Sequence, residues 1–138
     1  MRIVRFLPLC LLPLLAACVN DRVAYEVPDS TEIITLIREQ QWFWDPKVEL
    51  SLVVARMPNC MRRHPPVPGT AATVVELYQY EPTTFIVKIG DKLWATETRT
   101  CEGFAPMDKA PEQGLGSKLG TWKPNGEAIT FVAEKAAG

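Results

Sequence analysis

Apolar and polar residues alternate along much of the chain. Val48, Leu50, Leu52 and Val54 alternate with Glu49 and Ser51, so VELSLVVARM predicts a strand. Its second half is apolar on both faces, which suits a central place in a sheet. TVVELYQY, residues 73 to 80, predicts another strand that stops before Glu81-Pro82. Thr84 to Ile89 alternates cleanly, and Gly90-Asp91 supplies a tight turn into Lys92 to Thr100, the best hairpin signal in the sequence. A two-residue turn sets Ile89 opposite Lys92, Val87 opposite Trp94 and Phe85 opposite Thr96 on one face. Leu93, Ala95, Glu97, Arg99 and Cys101 then lie on the other. Residues 104 to 118, with Pro106, Pro111, Gly114 and Gly116, read as loop. A final hairpin is expected around Pro124-Asn125-Gly126, with TW before it and AITFVAE after it; its register stays open.

The front of the domain is more ambiguous. In TEIITLIRE, residues 31 to 39, Asp29 and Glu32 have the spacing of a helix capping box. Thr31, Ile33, Ile34, Thr35 and Ile37 favour a strand, which is the reading preferred here. VNDRVAYEVPDS, residues 19 to 30, is polar, carries Pro28 and reads as a tether. The fold class expected is mainly β: a small antiparallel barrel or sandwich of five or six strands, with residues 31–138 as one domain.

Before the tether, the pattern changes character. Arg2 and Arg5 precede the apolar run Phe6 to Leu15, as in a secretory leader. That run falls short of the ~20 apolar residues a permanent spanning helix needs, and Pro8 and Pro13 interrupt it. Leu15-Ala16-Ala17-Cys18 resembles the lipobox of bacterial lipoproteins. The resemblance implies that residues 1–17 are a signal peptide and that Cys10 leaves with it. It further implies that Cys18 carries the lipid and that residues 18–30 tether the domain. A thiol suits the modification because a soft nucleophile can be alkylated to a stable thioether. Within that class, Val19 after the cysteine implies sorting to the outer membrane, facing the periplasm. The body, with VVARMPNC and WATETRTCEGF, is similar to small proteobacterial lipoproteins from which no activity carries over.

Charge and cysteine usage narrow the function classes. The chain holds 15 basic and 16 acidic residues, and loss of Arg2 and Arg5 leaves it more acidic, so nucleic acid is not an expected partner. In an oxidising compartment Cys60 and Cys101 are expected to form a disulfide. A bridge closing a loop of that length stabilises by about 4 kcal/mol on the chain-entropy model.

Three kinds of candidate chemistry follow. Arg62, Arg63 and Arg99 could form a small cationic site for a carboxylate or phosphate, since the guanidinium fork donates two parallel hydrogen bonds. Trp42 and Trp44, in QWFWDP, are candidate binding residues because three aromatics in one loop are hard to bury together. Cys60, His64 and Cys101 could in principle serve a thiol- or metal-dependent enzyme. That reading needs a free thiolate, and the chain lacks CxxC, CxxCH, GxSxG and a phosphate-cradling glycine loop. No metal or cofactor is expected. The function expected is a non-catalytic binding or structural role in the cell envelope. Its partners would be the membrane, through the lipid anchor, and an envelope protein or anionic ligand. Size, anchor, disulfide and β content also resemble membrane-bound lysozyme inhibitors, so inhibition of lysozyme-type cell-wall hydrolases is the alternative.

Overall fold

The computed structural model of the chain describes residues 18 to 135. The leader expected over residues 1–17 lies outside them. Eleven strands form two antiparallel sheets. The first sheet holds β1 (Asn20–Glu26), β2 (Glu32–Glu39), β3 (Lys47–Arg56), β4 (Cys60–Arg63) and β5 (Val67–Thr70). Its order is β1-β2-β3, and β4 and β5 both pair with β3, one along each half of its length. The second sheet holds β6 (Val75–Glu81), β7 (Thr84–Ile89), β8 (Lys92–Glu97), β9 (Phe104–Met107), β10 (Ser117–Asn125) and β11 (Ala128–Ala133), in the order β11-β10-β6-β7-β8-β9.

The sheets stay separate, so the architecture is a sandwich and not a closed barrel. Their inner faces meet in one core. Ile34 and Leu36 of β2 and Val48, Leu50 and Leu52 of β3 pack with Leu77, Phe85, Val87 and Trp122 of the second sheet. The Gly90-Asp91 hairpin has the expected register, with Phe85 opposite Thr96, Val87 opposite Trp94 and Ile89 opposite Lys92. The last hairpin pairs Asn125 with Ala128, leaving Gly126-Glu127 as its turn. Gly126 takes a φ of 64°, which glycine adopts without the usual steric cost.

Two expectations are corrected. The segment 19 to 30 is not a tether: β1 pairs with β2 over its whole length, from Asn20 opposite Glu39 to Glu26 opposite Ile33. Its inward positions are Asp21, Val23 and Tyr25, all half-buried, while Asn20, Arg22, Ala24 and Glu26 are exposed. The alternation is real, but an aspartate in the inward row hides it. Residues 104 to 118 are likewise not all loop. Phe104–Met107 pairs with β8, and β10 begins at Ser117. The remaining extra strands, CMRR and VPGT, are short and polar or proline-bearing, which explains why eleven strands stand where five or six were expected.

Candidate functional site

The exposed Cys18 lies at one end of the sandwich, just before β1. Gln40, the residue after β2, fixes the chain there from both sides. Its backbone N–H donates to the Val19 carbonyl at 2.8 Å, and its Oε1 accepts the Val19 N–H at 3.1 Å. The other half of the same amide, Nε2, donates to the Asp45 carbonyl at 2.6 Å. One side chain therefore couples the start of β1 to the β2–β3 connection.

That connection carries Trp42, Phe43 and Trp44, which are 54%, 59% and 65% exposed. The loop is internally braced. The Asp45 N–H donates to the Trp42 carbonyl at 3.1 Å, and the Lys47 N–H to Asp45 Oδ1 at 3.0 Å. The two tryptophans stack with centroids 5.1 Å apart, and Phe43 meets Trp44 edge-on at 4.8 Å. The other two tryptophans belong to the interior: Trp122 is fully buried, and Trp94 packs against the core.

A cleft of about 440 Å³ opens beside Cys18, lined by Asp21, Arg38, Ala71 and Glu127 among others. Arg38 is buried, yet every nitrogen of its guanidinium is used. Nε and Nη2 grip the two Asp21 oxygens, Nη1 donates to the Ala71 carbonyl at 2.9 Å, and Nη2 also reaches the Glu127 carbonyl at 3.2 Å. Asp21 Oδ2 in turn accepts the Ile129 N–H of β11 at 3.0 Å. Hydrogen bonds from Arg38 hold the Asp21 carboxyl below its ordinary value. These groups join the two sheets, and most of the guanidinium's donors are spent within the fold.

At another edge, Cys60 of β4 is bonded to Cys101, which follows β8, with Cα atoms 5.9 Å apart. The thiol reading of Cys60, His64 and Cys101 needs a thiolate that this bond removes. His64 is buried, stacks on Phe104 at 4.9 Å, and Phe104 stacks on Trp94 at 4.8 Å. Burial, reinforced by the positive charge of Arg62, lowers the His64 pKa. The imidazole is thus a neutral packing group. Among the described residues, no cluster of three or more His, Cys, Asp or Glu side chains is placed to hold a metal ion.

Arg62 and Arg63 do not share a face: they are consecutive in β4 and so point to opposite sides of the sheet. Arg62 stands 3.9 Å from Glu102, while Arg63 pairs with Glu39 at 2.7 Å. Arg99 lines a separate cleft of about 350 Å³ with Glu81, Thr84, Glu97 and Phe104. There the Glu97 carboxylate is engaged from within the chain, by the Thr100 hydroxyl and the N–H groups of Thr100, Glu102 and Gly103. Burial would raise its pKa, but these donors outweigh burial and lower it to about 2. It organises the 98–103 loop and is a poor proton acceptor at neutral pH.

No family model matches the chain, and no curated protein or solved structure matches it either. Sequence reasoning missed Gln40, Arg38, Asp21 and Glu97. Asp21 alternating with Val23 and Tyr25 was the one available signal, and it calls for a buried cation.

Proposed function

We propose that the protein is a lipid-anchored envelope protein whose β-sandwich is held directly at the membrane surface. Its role there is non-catalytic, binding or structural, at the periplasmic face of the outer membrane. The observation that carries this reading is the position of Cys18. It is exposed, and Val19 beside it is already clamped into the fold by Gln40. A lipid on that sulfur needs no linker to hold the domain at a bilayer. The sequence supports the same reading through the order of charge, apolar run, small residues and cysteine in residues 1 to 18.

The test is the intact mass of detergent-extracted protein, alkylated before and after reduction. A chain beginning at an acylated Cys18, taking up label only after reduction, supports the anchor. A chain that keeps residues 1–17, or labels at Cys18 without reduction, overturns it.

A further inference from the structure

We infer that the Trp42-Phe43-Trp44 loop is a second membrane contact, seated in the headgroup layer of the bilayer that holds the Cys18 lipid. This rests on reading Cys18 as acylated. Two sets of observations support it independently of each other.

The first is position. Cys18 precedes Val19, Val19 is hydrogen-bonded to Gln40, and Trp42 is two residues further on. The path from anchor to aromatic loop is therefore no more than roughly 16 Å. Exposed Met57 and Met61, by contrast, lie beyond the far end of β3 or on its neighbour β4. Ten residues of strand separate the two ends of β3. Among the described residues, the aromatic loop is the exposed cluster of large apolar side chains that adjoins the anchor.

The second is construction. A loop that shows three aromatic rings to water normally loses them to a core or a partner. Here the backbone bonds at Asp45 and the Gln40 amide fix the loop in the outward pose. Tryptophan suits a layer that is apolar on one side and wet on the other, since its ring is apolar and its indole N–H remains a donor. Exposed Lys47, at the loop's end, adds a cation that lipid phosphates can take. With two contacts at one end, the sandwich is fixed in orientation and stands with that end on the bilayer.

The experiment uses the acylated protein reconstituted in phosphatidylcholine vesicles, with and without bromine on the acyl chains, and reads tryptophan emission. We expect a blue shift on reconstitution and loss of emission with brominated lipid. Both should disappear in Trp42→Ala/Trp44→Ala, whose remaining emission comes from Trp94 and Trp122. Acylated protein whose emission neither shifts nor is quenched overturns the loop contact while leaving the anchor intact. A mass showing bare Cys18 overturns the anchor, and the inference with it. A blue shift that needs no lipid and grows with protein concentration assigns the loop to a second copy of the chain and overturns the membrane contact.

Discussion

Arg38 and Asp21 form a two-pronged ion pair, Nε to Oδ1 at 2.7 Å and Nη2 to Oδ2 at 2.8 Å, with Arg38 only 1% exposed. The pair fixes β1 on β2, and the further bonds to Ala71, Glu127 and Ile129 carry the same contact into the second sheet. Arg38→Ala leaves the Asp21 carboxylate with only the Ile129 N–H and strips the Ala71 and Glu127 carbonyls of this donor. It should cost on the order of 3 kcal/mol, read as a lower urea midpoint. Arg38→Lys should recover only part of this, because an ammonium cannot match the planar fork. An unchanged midpoint in Arg38→Ala would remove the pair from the account of stability.

Acidification should destabilise the fold in two separate windows. His64 has a lowered pKa when folded, so the unfolded chain takes up the proton first. Stability is complete above the ordinary histidine value of 6.5 and declines as pH falls below it. His64→Phe keeps the stack on Phe104 and should flatten this first decline. It also replaces Nε2, a buried nitrogen with no hydrogen-bond partner among the described residues. Thermal melts of both proteins across pH 7 to 5 decide the point.

The lower window belongs to Glu97, Asp21 and Glu76, whose folded pKa values lie below the ordinary 4.5, 3.8 and 4.5. Their contribution is present above those values and is lost as pH falls through the folded ones, near 2 for Glu97. Glu97→Gln should shrink the loss between pH 4.5 and 2 and lower stability at pH 7. Equal acid midpoints for Glu97→Gln and the parent would count against the loop-organising role.

Removing the Cys60–Cys101 bond frees a loop spanning 41 positions and should cost up to about 4 kcal/mol. Cys60→Ser/Cys101→Ser should therefore melt well below the parent, by an amount that reduction of the parent reproduces. If reduction leaves the melting temperature unchanged, the bond adds nothing that packing does not already supply.

Gly120 lies under the ring of Phe131, where an added Cβ would run into the ring edge and the Val132 carbonyl. That ring also packs on Tyr25 at 4.4 Å and on Trp122 at 4.8 Å, so it has little room to retreat. Gly120→Ala should destabilise by about 1–3 kcal/mol. Gly120→Ala/Phe131→Leu should regain part of that, which equilibrium unfolding of the two variants would show.

The two clearest strands, β3 and β7, have inward rows that are apolar throughout. Val48, Leu50 and Leu52 announce β3, and Phe85, Val87 and Ile89 announce β7 together with its turn. Strand β1 was missed because its inward row opens with Asp21, whose partner Arg38 is 17 positions away and belongs to another element. No local window contains both. The exposed loop at Trp42 and Trp44 was visible because three aromatics in a short connection outnumber the places that could hide them. That Arg62 and Arg63 do not share a face follows from something the sequence already held: they are neighbours, and strand neighbours diverge.

The two sheets leave several outer strands whose backbones could recruit a stranger, and each is dealt with. Beside β1 lies β11, and the carbonyl of Val23 is capped by the Trp122 indole at 3.0 Å. Pro106 stands in β9 and Pro68 in β5, each withholding a backbone donor. β4 ends in two arginines and is stapled at Cys60. A sandwich finished in this way can be crowded against copies of itself without neighbouring sheets zipping into fibrils.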